Sequence, residues 1–306
     1  MYKNIRIINK DQIEKLHISA QEEFNWVDKV LKSKSDYILP VKTRIPLKDT
    51  DYFNVMPCVL PSENVLGLKV VTRNENRRKR GELNIDGDIL LYSYDDFEPL
   101  ALIDGGYITT IRTAAVAAHS MLTLVPDFDV IAMVGLGRIG MEIGRILFDL
   151  INRNKRVTIK LYKYKDHAEK FIEKFKEYEN LNFIICETYQ DLMKGSDVIF
   201  SSVTYIEEDF CAPELYSKKC TIIPVHLRGF RECDRCFDHI ITSDLESIKK
   251  FGYYSEMKKI SYIDDIIKDL DSYRPASQTI IYNLGLAVYD LYFASKIFEK
   301  ISHKDA

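Results

Sequence analysis

The chain has 306 residues, 46% of them apolar and 29% charged, with a formal net charge of −3. That length suits about two domains, the composition argues against a disordered chain, and the charge gives no electrostatic reason to expect nucleic acid or an anionic membrane as partner. No apolar stretch approaches the roughly 20 residues needed to cross a bilayer, and the opening MYKNIRIINKDQIEKL lacks the apolar core of a signal peptide, so a soluble, cytoplasmic protein is expected.

From the start, Ile5 to Ile8 is a short strand and a helix follows, marked by Ile13, Leu16, Val27, Val30 and Leu31, with Trp26 buried nearby. Between residues 36 and 71 the texture is β, punctuated by Pro40, Pro46, Pro57 and Pro61. Two cations stand inside apolar runs there, Arg44 in VKTRIPL and Lys69 in VLGLKVV. Each must face solvent or be paired, since burying a lone charge is costly. Residues 73–80 carry five basic residues in eight and fit a solvated loop, with recruitment of an acidic substrate or a 2′-phosphate as the alternative. Ile89 to Tyr94, a turn at Asp95-Asp96, and Pro99 to Ile103 form a hairpin.

Gly105 to Leu124 starts in a turn and becomes a small-residue helix, with Thr109 or Thr110 in the N-cap region. That placement puts Arg112 in the first turn, where the helix dipole disfavours a cation, so a bound carboxylate or phosphate is expected beside it. The segment VIAMVGLGRIG then joins an apolar strand, Val130 to Val134, to a helix over Arg138 to Asn152. Strand, glycine turn and helix in that order make G-x-G-x-x-G informative. Gly135 permits the tight turn, Gly137 has no side chain to obstruct a pyrophosphate, and Gly140 lets the helix lie close to the sheet. The helix N-terminus offers unpaired N–H groups and partial positive charge to phosphates.

Strands at Val157 to Tyr162, Phe183 to Cys186, Asp197 to Val203, Cys220 to Val225 and His239 to Thr242 continue an α/β rhythm, with helices over Asp166 to Tyr178 and Tyr189 to Lys194. The fold class is α/β: a doubly wound parallel sheet over residues 119–277, preceded over residues 1–118 by mostly antiparallel sheet plus a helix and followed over 278–306 by a long helical pattern outside that rhythm. Ligands lie beyond the carboxyl ends of such strands, which brings Ser201, Ser202, Val203 and His226 near a cofactor. A site preferring NAD wants an acid about 20 residues past the glycines; here Lys163 and Lys165 follow Tyr162, which points toward NADP(H). Cys233 and Cys236 form a C-x-x-C near His226 and His239, but structural zinc usually uses two tight ligand pairs and only one exists here, so no metal is expected.

With Lys69, DGGYITTIRTAA, VGLGRIG and NLGLAVYDLYFASK in view, the chain resembles the ornithine cyclodeaminase/mu-crystallin family from about Lys42 to Lys296. The likeness is most specific in T-x-x-R-T-A-A at Thr109 to Ala115 and G-L-A-x-x-D at Gly285 to Asp290. The resemblance implies a homodimer with a Rossmann domain and a second α+β domain for substrate and dimerisation, residues 1–118 completed by the helix over 278–306, using NAD(P)(H) on an amino acid or its imine. It implies that Arg44, Lys69 and Arg112 surround the substrate carboxylate, with Leu284 also against the substrate. It further implies cofactor contacts from Arg112, Thr113, Gly135, Gly137, Arg138 and Ile139, and from Lys163, Ser202, Val203, His226 and Asn283.

Cyclodeaminases of the family carry an aspartate in V-G-x-D-x-P-G-K-x-E-L-D. Anchored on Glu232-Cys233-Asp234, that position is His226 in PVHLRGFRECD, and the glycines, proline and lysine are missing. A histidine is a possible general acid or base near pH 7, which makes Lys69 and His226 the catalytic candidates. The form at Val225 to Arg228 resembles the branch coupling amino acids for siderophore diaminopropionate synthesis. Hydride transfer at an amino-acid α-carbon is therefore the leading expectation: dehydrogenase, imine reductase or opine-like synthase. Conversion of ornithine to proline and ammonia is the alternative, and a binding protein that holds NADPH and a small ligand without turnover is the rival from another class.

Overall fold

The computed structural model describes residues 5–82, 84–275 and 277–304. The chain divides into two compact units, one running up to Arg112 and resuming at Gly285, the other Thr113–Leu284; the expected divisions lay at 118/119 and 277/278.

The first unit is built on a six-stranded sheet of β1 (Arg6–Ile8), β2 (Thr43–Pro46), β3 (Tyr52–Leu60), β4 (Val65–Arg73), β5 (Ile85–Ser93) and β6 (Pro99–Asp104), in the order β1-β6-β5-β4-β3-β2. Alternate residues of β3 and β4 are buried, the period of two that puts one face on a core. Cross-strand register lines up Met56, Lys69, Ile89, Ile103 and Ile8 in one row on that buried face. The adjacent row, about 7 Å along the strands, holds Arg44, Asn54, Val71 and Gly87. The helix Ala287–Lys304 packs on β3, β4 and β5 and against the helix Ala20–Lys32. The latter starts from a capping box formed by Ser19 and Glu22 and buries Trp26, Val27, Val30 and Leu31; Trp26 meets Phe293 edge to face at 5.0 Å.

The basic segment is not a bare loop. Residues Glu75–Lys79 form a short helix, with Arg77 paired to Asp86 at 2.6 Å and Arg80 to Glu82 at 2.7 Å. These cations are answered by acids close in sequence, a pattern invisible to a count of basic residues.

The second unit carries an eight-stranded sheet of β7 (Val130–Val134), β8 (Val157–Tyr162), β9 (Leu181–Cys186), β10 (Val198–Ser201), β11 (Thr221–Pro224), β12 (His239–Thr242), β13 (Ile260–Tyr262) and β14 (Thr279–Tyr282). Its order is β13-β12-β14-β11-β10-β7-β8-β9, and every pair is parallel. The strand order reverses between β7 and β10, the switch point at which doubly wound sheets bind ligands. The core is continuous and aromatic-rich, with Phe210, Phe230, Phe237 and Tyr282 buried beside Ile222 and Ile240.

Two sequence expectations need correction. Residues 278–284 do not belong to the last helix: Thr279–Tyr282 is the buried strand β14 between β11 and β12, and the helix begins at Ala287. Thr279 and three apolar residues satisfy a helical or a strand pattern equally well over so short a run, and a two-sided sheet position decided it. The small-residue helix spans Gly105–Leu124, so Arg112 lies in its third turn rather than its first. Asp104 accepts from the Tyr107 amide at 2.7 Å, the bond an N-cap residue makes. Thr109 and Thr110 instead donate back to the carbonyls of Gly105 and Gly106 within the helix.

Candidate functional site

In the first unit the buried sheet face delivers Lys69 to an acid. Its Nζ lies 2.6 Å from Asp290 Oδ1 and 2.5 Å from Thr109 Oγ1, and the side chain is 1% exposed. The Nε of Arg112 reaches the same Asp290 oxygen at 2.9 Å. Gly285 sits beside that guanidinium: a Cβ there would come within 3.4 Å of it. Two cations thus share one carboxylate that is itself fully buried, leaving one positive charge uncompensated. The second oxygen of Asp290 has no hydrogen-bond partner among the described residues.

Burial pulls the Lys69 ammonium down to about 8; Asp290 opposes this and Arg112 adds to it. Burial alone would raise the Asp290 carboxyl, but the charges of Arg112 and Lys69 outweigh it and hold the group below the ordinary carboxylate range. Arg44 is not part of this group. It is on the edge strand β2, whose four residues are all exposed, with its guanidinium 4.1 Å over the Tyr52 ring. It shares a sheet face with Lys69 through the row of Asn54 and Val71, but makes no hydrogen bond or ion pair with Lys69 or Arg112 among the described residues. Asn54 itself is 8% exposed and its Oδ1 is buried without a donor among the described residues.

In the second unit the strand β7 ends in the glycine turn. Gly135 has φ +86, where an L side chain is disfavoured, and a Cβ on it would come within 2.5 Å of the Ser202 backbone. Gly140 is confined the same way, with Gly135 O 2.4 Å from where its Cβ would be. Gly137 is the reverse: it caps the helix Arg138–Leu150 in an extended conformation and has open space in place of a Cβ. This is the arrangement a pyrophosphate needs, room above a helix N-terminus. Arg138 and Ile139 open that helix, and Ser202 and Val203 lie across the turn, Ser202 Oγ donating to Gly135 O.

The other expected site residues lie along the same sheet, except Thr113, which is in the helix Gly105–Leu124. Thr113 is half-buried at the start of the unit. Asn283 follows β14 and is 8% exposed; its Oδ1 accepts from Ser120 at 3.0 Å and its Nδ2 is buried without a partner among the described residues. A donor left unpaired in the apoprotein costs about 1–3 kcal/mol, and a nicotinamide carboxamide oxygen is a group that would satisfy it. Leu284 is half-buried, with its backbone bonded to Ser243 in both directions. Lys163 is exposed and ion-paired with Glu187 at 2.7 Å, which raises its pKa.

His226 is held on both sides. Its Nδ1 accepts from the Arg228 amide at 3.3 Å, so Nε2 carries the proton and donates to Ser201 Oγ at 2.6 Å. Burial drives its pKa down to about 4, and near pH 7 the ring is therefore neutral. Cys233 belongs to the apolar core, and no group of three or more His, Cys, Asp or Glu suited to a metal occurs among the described residues.

Sequence reasoning noted Asp290 within a motif without giving it a role, and did not single out Asn54. The signal for Asp290 was available, since it is an acid inside the apolar run LGLAVYDLYF and obeys the same pairing rule as Lys69. Asn54 leaves no such mark, because an amide in an alternating strand looks solvent-facing.

Residues 6–218 match the sequence model of the ornithine cyclodeaminase/mu-crystallin family. The chain is 24% identical to a Delta(1)-pyrroline-2-carboxylate reductase of Bacillus cereus, over 96% of this chain and 93% of the relative. It is 25% identical to the ketimine reductase mu-crystallin of Mus musculus, over 86% and 85%. Its fold is that of the Thermococcus litoralis Delta(1)-pyrroline-2-carboxylate reductase solved with NADH and L-proline, at a TM-score of 0.86, 20% identity and 99% coverage of both chains.

Proposed function

Because the chain belongs to the ornithine cyclodeaminase/mu-crystallin family, we propose that it is an NAD(P)(H)-dependent enzyme acting at the α-carbon of an amino acid or its imine. The observation that carries this is the buried group of Lys69, Asp290 and Arg112. One positive charge left over in a desolvated position calls for an anion, and the α-carboxylate supplies it. Arg112 offers a planar fork suited to a carboxylate, while Lys69 holds a proton at Nζ that is transferable near pH 8. We assign that proton to the imine nitrogen during reduction, with neutral Lys69 as the base in the reverse direction.

The dinucleotide would be held by the turn from Gly135 to Gly140, the amides of Arg138 and Ile139, and the Asn283 carboxamide. When bound, its nicotinamide supplies or accepts the hydride. Lys163 and Lys165 favour a 2′-phosphate, so NADPH is the expected donor. Arg44 would reach the substrate only by leaving Tyr52, which makes it the least fixed of the three cations. The neutral His226 fits a wall of the cofactor site better than a proton carrier.

Homodimerisation would use the opposite face of the first unit's sheet. Ile7 and Leu102 are 69% and 37% exposed there, beside the half-buried Leu68, Val70 and Leu90; an apolar sheet face of this kind calls for a cover. Among the described residues no helix is long and apolar enough to cross a membrane.

The test is turnover of cyclic ketimines and 2-oxo acids with ammonia or amines, followed by the absorbance of the reduced nicotinamide. Stoichiometric consumption of NAD(P)H supports the reading. Proline formed from ornithine with only catalytic NAD+ would replace it with cyclodeamination, and tight NADPH binding without turnover would replace it with a binding role.

A further inference from the structure

The second unit contains a cavity that the proposed reaction does not use. Its volume is about 440 Å³, and it is walled by the segments that follow β10, β11 and β12, with Tyr282 at the end of β14. Three cations line it: Arg228, Arg231 and Lys250. None forms an ion pair with a carboxylate among the described residues, although the chain as a whole is acidic. Arg228 lies 5.3 Å over the Tyr205 ring, which also lines the cavity.

The acids present are mostly committed elsewhere. Asp209 accepts from the backbone amides of Arg231 and Glu232 at 2.9 and 2.7 Å. Asp234, 1% exposed, accepts from the hydroxyls of Tyr253 and Tyr282, both at 2.9 Å. Glu207 is the one lining carboxylate without such a bond among the described residues. Asp209 and Glu207 keep their charge, but no carboxylate lies within ion-pair distance of Arg228, Arg231 or Lys250 among the described residues, so three unpaired cations stand in a concave site with aromatic walls. Such a site favours an anion carrying more than one charged group.

We infer that this cavity binds a small organic polyanion, with two or more carboxylate or phosphate groups bridging Arg228, Arg231 and Lys250. The ligand would lie beyond the carboxyl ends of the strands, as ligands of doubly wound sheets do, between the segments that follow β10, β11 and β12. The lining shares no residue with the Lys69–Arg112 group, so its occupancy is measurable whether or not the proposed reaction is correct.

Isothermal titration of the full-length protein with citrate, malate and inorganic phosphate tests this, with and without saturating NADPH. Citrate or malate should bind at millimolar concentration or tighter. Lys250→Gln and Arg231→Gln should each weaken binding about five- to tenfold, the loss of one charge-assisted contact, with NADPH affinity and thermal stability unchanged. Binding that weakens steeply with added salt is also expected. Phosphate binding as tightly as citrate would mark a single-phosphate site and overturn the bridging arrangement. No binding of any of the three, or binding unaffected by both substitutions, would overturn the proposal.

Discussion

Replacing Asp290 with asparagine keeps the shape of the side chain and removes the one negative charge between Lys69 and Arg112. Both cations are then buried with no counter-ion, and breaking a buried pair from one side costs about 3–5 kcal/mol. For a chain of this size that corresponds to a melting temperature lower by roughly 6–20 °C, at about 2–4 °C per kcal/mol. The same change removes the charge that raises the Lys69 pKa against burial, so the ammonium must titrate below its wild-type value of about 8. Imine reduction needs protonated Lys69, so the wild-type rate should fall as pH rises through about 8. In Asp290→Asn that fall should begin at lower pH, and the rate at neutral pH should drop by one to two orders of magnitude. The assay is kcat/KM for ketimine reduction across pH, paired with thermal melting. A variant that melts within about 2 °C of wild type and keeps the same alkaline limb would refute the charge-sharing account.

The glycine turn separates two effects that are usually confounded. Gly137→Val should fold with normal stability, since open space awaits the side chain, yet lose nucleotide binding by fluorescence titration. Gly140→Ala should destabilise by about 1–3 kcal/mol because its Cβ meets the Gly135 carbonyl; the opposite ranking would displace the pyrophosphate from this turn. His226→Asn should lower kcat less than tenfold and leave the pH profile in place, because the ring is already neutral at pH 7. A loss of about 10²–10⁴-fold would instead mark His226 as a general acid or base. His239 is buried with its pKa lowered to about 4 from 6.5. The unfolded chain therefore takes up that proton first, and the contribution of His239 to stability should be lost as pH falls from about 6.5 toward 4. Asp234, raised to about 7, acts in the opposite direction over part of that range. The measurement is accordingly the difference between wild type and His239→Gln in denaturant unfolding at pH 7 and pH 5, expected to be on the order of 1–2 kcal/mol. No difference would mean the imidazole is solvated.

The amino-acid sequence by itself determined the α/β class, the strand–glycine turn–helix order after β7 and the suspicion attached to Lys69 and Arg112. Those features are local: a strand–glycine–helix order and a charge inside an apolar run are legible without knowing what packs on them. It could not tell strand from helix at Thr279–Tyr282, because a threonine and three apolar residues carry no period. It also started one helix about a turn too late, because the pair Gly105-Gly106 has the composition of a turn. Tertiary structure alone decided that Asp290, 221 residues from Lys69, is the partner of both cations. It alone set Arg44 apart on an exposed edge. Pairing across that distance depends on which helix covers which sheet row, and no spacing along the chain encodes it.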